Sequence, residues 1–396
     1  MKTMFRTALA LACLAVAAAA HAAEPFKVGL IIPLTGPFAS FGKQIEAGAR
    51  LYMKQHGDAV AGREIQLLVK DDGGVQPELT KRLAQELIVK EGVDALAGFG
   101  LTPLAFATAP VATQAKIPMV VMSASTSSIV GKSPYIVRTS MTEAQVTAPI
   151  ADWAAKDPKA HIKTVVTLVS DYGPGLDSEK VFVKRYTAAG GKVLDSIRVP
   201  LVGPDFSPFM QRVKDLHPDG LFVFLPPGPG VTLMKQFVER GLRDAGIQLM
   251  STGGLLDDYF MPTIGDEALG TVTSGHYSAA HDSPENKAYV QAFQSFVNGS
   301  MRPNFMSVGG YDGMHVIYAA LRKAGPDATG KQLVEAMKGL EWTSPRGPVS
   351  IDPETRDIVQ NVYLRRTEKV HGELYNIEFD KVEKVKDPGV CQARPA

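Results

Sequence analysis

The chain has 396 residues, of which 45% are hydrophobic and 21% charged, and a formal charge of +1. That length exceeds one ordinary core and predicts two domains, and the composition is that of a globular chain. The near-neutral balance gives no electrostatic case for nucleic acid or an anionic membrane surface, so neither is expected as a partner.

Lys2 and Arg6 precede an apolar run from Ala8 to Ala20, and Ala20-His21-Ala22 fits a small-residue cleavage site. Residues 1–22 therefore read as a secretory signal peptide, and the mature protein is expected to be exported. Cleavage would remove Lys2 and Arg6 and take the formal charge from +1 to −1. The only cysteines are Cys13 and Cys391, and Cys13 lies inside the signal, so the mature chain cannot form an internal disulfide. Ala10-Leu11-Ala12 resembles a lipoprotein box only weakly, and the apolar run continues past Cys13, which favours a soluble product over a lipid-anchored one. No later segment approaches the ~20 apolar residues of a membrane span.

Strand and helix patterns alternate from there on. Phe26 to Pro33 reads as a buried strand, followed by a helix with Ile45, Ala49 and Met53 at helical spacing and an end at Gly57. Arg63 to Lys70 is the next strand, closed by Asp71-Asp72-Gly73-Gly74, and Gln76 to Glu91 is a helix. Val93 to Ala97 is an apolar strand broken by Gly98 and Gly100. A helix opens near Thr102, Ile117 to Met122 is a strand, and Ser123-Ala124-Ser125-Thr126-Ser127 is a hydroxyl-rich turn. Tyr135 to Thr139 is a short strand.

Glu143 to Lys156 restarts the alternation as a helix. Strands are expected at Thr164 to Ser170, Lys192 to Pro200, Gly220 to Leu225, Ile247 to Thr252 and Val272 to His276. Helices are expected at Leu176 to Ala189, from Asp205, and before Gly241. Three more come late, at Glu285 to Val297, Gly309 to Ala324 and Lys331 to Gly339. Val349 to Ile351, Ile358 to Arg365 and Leu374 to Phe379 close the chain as strands. Such alternation predicts an α/β protein with two doubly wound parallel sheets.

In such sheets small ligands sit beyond the carboxyl ends of the strands, where helix starts leave N–H groups free. Thr102, Ser123, Ser125 and Ser127 fall in that place, and hydroxyls beside free amides suit a carboxylate or another small anion. Equally, Thr102 can cap a helix and the serines can make turns. Enzymatic chemistry has no motif here. The mature histidines are scattered, and there is no Cys-x-x-Cys, no G-x-S-x-G elbow and no P-loop lysine. Gly98-Phe99-Gly100 runs into Leu101-Thr102-Pro103 and fails the dinucleotide fingerprint. No metal, cofactor or catalytic residue is expected. Asp71-Asp72 and Asp257-Asp258 read as turn and capping pairs.

Several blocks in order carry a resemblance. They are Gly29 to Gly42, Lys70 to Gly73, Ala97 to Ser125, Ser170 to Gly175, Asp205 to Leu225 and Gly309 to Asp312. Together they resemble the leucine/isoleucine/valine-binding protein family, the type I periplasmic receptors of ABC importers, over essentially the whole mature chain. The resemblance implies two α/β domains joined by a three-strand hinge near Ser140, Ser274 and Tyr363. The implied division is residues 24–141 with 276–363, and 142–275 with 364–396. It further implies a monomer that works with an inner-membrane ABC permease.

It also implies that Thr102, Ser123 and Ser125 hold a ligand carboxylate, with Phe41 and Tyr172 as aromatic walls. Family members that bind α-amino acids hold the ammonium group with an acidic residue whose place here is Gly253, and a tyrosine is replaced at Pro226 or Pro227. Phe41, Phe99, Leu101, Tyr172, Pro226, Pro227 and Leu255 offer an apolar edge. The expected ligand is therefore a small aromatic or aliphatic carboxylic acid. A hydrophobic amino acid held through Asp257 or Asp258 is the alternative, and a ligand-sensing regulator is the alternative of another class.

Overall fold

A computed structural model describes residues 24–389, so the signal segment, Cys13 and Cys391 lie outside the described residues. The first sheet is built from β1 (Phe26–Ile32), β2 (Ala59–Val60), β3 (Arg63–Asp71), β4 (Ala95–Gly98), β5 (Met119–Val121) and β6 (Ile136–Arg138). Its order is β2-β3-β1-β4-β5-β6, parallel except for the β2–β3 hairpin. Helices α1 (Ala39–His56), α2 (Pro77–Glu86) and α3 (Thr102–Ala115) connect these strands. A π-turn over Leu87–Glu91 extends α2, within the single helix expected from the sequence.

The second sheet starts after α4 (Glu143–Lys156) with β7 (Thr164–Ser170), β8 (Lys192–Val199), β9 (Gly220–Phe224), β10 (Gln248–Thr252) and β11 (Val272–Gly275). These pair in parallel, with α5 (Gly173–Ala188), α6 (Ser207–Leu216), α7 (Gly230–Glu239) and the short α8 (Met261–Ile264) as connections. Their buried faces are mainly apolar, as strands covered on both sides require, with Thr167, Ser251 and Thr273 as buried polar exceptions. The chain then returns to the first sheet's core through α9 (Pro284–Phe296), α10 (Phe305–Ala324) and α11 (Gly330–Met337). Asn304 caps α10 by accepting from the Met306 and Ser307 amides, so this helix begins four residues before the expected Gly309.

Purely parallel pairing does not extend to the end of the second sheet. β12 (Glu341–Ser344), β13 (Gly347–Ile351), β14 (Ile358–Val370) and β15 (Glu373–Val385) add an antiparallel edge, with β14 beside β11. β14 and β15 run 13 residues each and turn at His371 and Gly372, both at positive φ (+52° and +85°). That two-residue turn suits a hairpin. Both strands outlast their expected ends because the added residues, such as Thr367 to Lys369 and Asp380, Lys381, Glu383 and Lys384, are mostly polar, and periodicity alone does not reach them.

Two fully buried arginines tie the sheets to the crossovers between them. Arg138 forms a two-pronged ion pair with Asp357 at 2.5 and 3.0 Å, and donates to the carbonyls of Thr126 (2.8 Å) and Ala124 (3.3 Å). Arg346 binds Asp312 (2.7 Å), the Ser140 carbonyl (2.8 Å) and Gln360 (2.9 Å). Gln360 in turn reaches Ser140 and Gln145, so the first crossover is held from the β13–β14 side. Removing one partner of such a pair strands the other charge in a dry interior. Arg138→Met is therefore expected to destabilise the protein by about 3–5 kcal/mol, read as a lower urea midpoint, whereas Arg185→Met at an exposed pair should cost no more than about 1 kcal/mol.

Candidate functional site

Strands β4 and β5 end side by side, and the segments after them form one wall of a cleft. After β4, Gly98 takes φ +106°, and a Cβ there would collide with the Ile31 carbonyl, so the chain can break away from β1 only at a glycine. Helix α3 then starts with Leu101 at its N-cap and no side-chain capping bond. An apolar cap leaves the first-turn N–H groups for something else, and the helix start carries partial positive charge. Thr102 is 2% exposed and donates to Thr126 (3.0 Å). The hydroxyl of Ser123 donates to the Gly100 carbonyl (3.1 Å).

The opposite wall comes from the second sheet, through the segments after β7, β9 and β10. The enclosed cavity is lined by Phe41, Leu101, Thr102, Ser123, Ser125, Tyr172 and Pro226, which the sequence singled out. Met141, Glu143, Phe224, Leu225, Pro227, Gly254, Phe305 and Met306 also line it. Its volume is about 30 Å³, so the two walls stand close together. A larger groove of about 570 Å³ lies beside Ser127, Lys180 and Arg356. Of the residues singled out from sequence it contains only Ser127, and Lys132, Asp177, Lys180, Lys184, Glu354 and Arg356 give it charged walls.

Gly253 departs from expectation. It stands next to the cavity instead of in it, because a Cβ at that position would meet the Arg365 guanidinium at 2.9 Å, and Gly254 takes the lining position. Phe99 and Leu255, expected on the apolar edge, are buried in the cores beneath. The side chains of Asp257 and Asp258 serve the frame. Asp257 accepts both bonds of the Asn304 amide (3.0 and 3.1 Å), and Asp258 faces the Ala279 amide and Arg365. Ser127 is also engaged outside the cavity, with Asp177 through its amide and Asp387 through its hydroxyl.

The acidic residue missed from sequence is Glu143. It is 1% exposed at the first position of α4, and its amide donates to the Ser125 carbonyl (2.9 Å). Thr142 closes a capping box with Gln145 just before it, so this helix start is rigid. Burial pushes the Glu143 carboxyl up to about 8, with the Thr252 hydroxyl beside it pulling in the other direction. In the sequence Glu143 is only a favourable acidic residue in a helix first turn, and nothing local tells that turn from any other.

Contacts across the cleft show how it shuts. The Asp257–Asn304 pair joins the segment after β10 to the cap of α10, and Ser127–Asp177 joins the turn after β5 to α5. Gly173, at the start of α5, comes so close to the first wall that a Cβ would collide with the Thr126 hydroxyl and lie 3.4 Å from Thr102. Two sheets with a cleft between them, bridged by such contacts, have the architecture of a two-domain binding protein.

Comparisons with known proteins agree. The family described as "Periplasmic binding protein" matches residues 25–371, and the chain belongs to that family. Leu/Ile/Val-binding protein homolog 6 of Brucella melitensis biotype 1 is 48% identical, covering 98% of this chain and 99% of the relative. A crystal structure of an ABC-transporter solute-binding protein from Rhodopseudomonas palustris BisB5, in complex with 3,4-dihydroxybenzoic acid, is 56% identical with a TM-score of 0.89. It covers 92% of this chain and 99% of its own. One from R. palustris HaA2, in complex with p-hydroxybenzoic acid, is 44% identical with a TM-score of 0.89, and covers 93% and 100%.

Among the described residues no group of histidines, cysteines and carboxylates can hold a metal ion, and no helix is long and apolar enough to cross a membrane.

Gly173→Ala is expected to hold the walls apart, giving a larger radius of gyration in small-angle X-ray scattering and a loss of ligand affinity of about tenfold or more. Glu143 and Asp257, the latter raised to about 7 by burial, bind their protons more tightly folded than unfolded. The stability they contribute is complete below about pH 4 and is lost as pH rises through their folded values. His276 and His315 are held below their ordinary value by burial and act in the opposite direction, losing stability as pH falls below about 6.5. Between about pH 6.5 and 8.5 the carboxyls act alone, so the melting temperature should fall over that window, and Glu143→Gln should flatten the fall.

Proposed function

We propose that this protein is the periplasmic receptor of an ABC importer and that it closes on an aromatic carboxylate of the benzoate class. The observation that carries the reading is an uncapped helix start with Thr102, Ser123 and Ser125 around it, set in a cleft whose other lining side chains are apolar apart from Tyr172 and the buried Glu143, and which lacks any lysine or arginine. Hydroxyls and helix N–H groups bind a carboxylate without a counter-cation, because hydrogen bonds to a charged group are worth about 1.5–3 kcal/mol each. Phe41, Leu101, Tyr172 and Pro226 would sandwich the ring. Burying an aromatic ring of about 150–250 Å² contributes about 4–6 kcal/mol, a large share of the roughly 8 kcal/mol of a micromolar complex. The aromatic acids bound by the two R. palustris proteins support the same class.

In this reading residues 1–22 direct export and are removed, and the mature protein acts as a monomer. Residues 24–141 with 276–363 and residues 142–275 with 364–396 form the two moving bodies, hinged near Ser140, Ser274 and Tyr363. Ligand favours the closed state, and the permease reads closure. Glu143 favours one second reading, a hydrophobic amino acid with its ammonium group on that carboxylate. It is the weaker one, because burial holds Glu143 largely protonated at neutral pH and an ammonium needs the ionised form.

A thermal-shift screen of refolded, ligand-stripped mature protein separates the two. Benzoates at a hundred times their dissociation constant should stabilise the fold by about 2.7 kcal/mol, whereas leucine, valine and phenylalanine should not. Thr102→Ala with Ser125→Ala should abolish the benzoate shift. A shift with the amino acids alone would overturn the proposal.

A further inference from the structure

Glu143 is the only carboxyl lining the cleft among the described residues. Its backbone is fixed from two sides, by the capping box at Thr142 and by the amide bond to Ser125, and it lines the cleft. One carboxyl oxygen, Oε1, is buried without a hydrogen-bond partner. Buried polar atoms in native proteins are rarely left so, and one aimed into a binding cavity is complementary to a polar atom of the ligand.

Two ligand groups could answer it, an ammonium or a hydroxyl. The ammonium demands an ionised carboxylate in a cavity with no other charge and little water. A hydroxyl does not. It donates to Oε1 when Glu143 is ionised, and it both donates and accepts when Glu143 carries its proton. Thr102, Ser123, Ser125 and Glu143 line the same cavity, so a ring acid with its carboxylate at the hydroxyls would place a ring hydroxyl as the group able to answer Glu143.

Resting on the aromatic-acid reading above, we propose that Glu143 is the specificity-determining residue of this cleft. It recognises a ring hydroxyl, so the receptor selects hydroxylated benzoates over benzoate itself. The discrimination follows from the buried oxygen: benzoate would close the cleft over Oε1 and leave it unpaired, whereas a hydroxybenzoate satisfies it.

Isothermal titration calorimetry on ligand-stripped mature protein tests this with benzoate, 3-hydroxybenzoate, 4-hydroxybenzoate and 3,4-dihydroxybenzoate. The readout is the ratio of dissociation constants, benzoate over the best hydroxylated acid, in the wild type, Glu143→Gln and Glu143→Leu. The wild-type ratio should be about ten or more. Glu143→Gln, which keeps both a donor and an acceptor at the same place, should retain most of it, and Glu143→Leu should bring it toward one whatever the absolute affinities. Circular dichroism melts of both variants establish that they fold.

A wild-type ratio near one, with all four acids binding, would overturn the role of Glu143 and leave the aromatic-acid reading standing. So would a Glu143→Leu variant that keeps the preference. Absence of binding by all four would remove both. Binding of leucine or phenylalanine that Glu143→Gln abolishes would also remove both, and would make Glu143 an ammonium partner.

Discussion

Burial of Arg138 is the constraint on which the cleft depends. The strands β5 and β6 are three residues each, too short to fix the long turn between them by sheet bonds alone. Arg138, at the end of β6, supplies the missing order by reaching back to the carbonyls of Ala124 and Thr126 while Asp357 neutralises it. A guanidinium can do this because its planar fork presents several donors in fixed directions. The serine-rich turn is thereby held against the start of α3, and Asp357, which precedes β14, brings the hinge region into the same cluster. A fully buried ion pair contributes little net stability by itself. What it secures here is geometry, in the turn that forms one wall of the cleft.

The cleft places its polar groups on that fixed frame and leaves the rest apolar. Thr102 and Ser123 spend their single O–H on Thr126 and on the Gly100 carbonyl, so the donors left free on this wall are the first-turn N–H groups of α3. The second wall brings mainly surface to exclude water, from Phe224, Pro226 and Pro227, together with Tyr172 packed on Phe224 at 6.0 Å between ring centres. The second wall completes the cleft, and burial there raises the affinity of the Glu143 carboxyl for a proton.

Legibility of the site in the sequence tracked chain proximity. Thr102, Ser123 and Ser125 lie at the ends of adjacent parallel strands, and strand order there obeys right-handed crossovers, so their convergence could be read from spacing. Phe41, Leu101, Tyr172 and Pro226 came from block-by-block resemblance and do line the same cavity. Gly253 was displaced by one position because the turn after β10 presents Gly254 to the cleft and packs Gly253 on Arg365. Glu143 and Asn304 escaped notice since each looks locally like an ordinary helix start, and only the partner across the cleft gives either its role.

By itself the sequence determined the alternation of apolar strands and amphipathic helices, the two-sheet class, the family and the hydroxyl-lined crevice. These rest on local periodicity and on short spans of chain. Tertiary structure decided the antiparallel edge of the second sheet, the direction of Asp257 and Asp258, and the entry of Glu143 into the cleft. The buried Arg138–Asp357 pair joins residues 219 positions apart, and Asn304–Asp257 joins residues 47 apart. Contacts of that kind depend on how two separately formed cores meet, and no period or spacing in a single chain encodes that meeting directly.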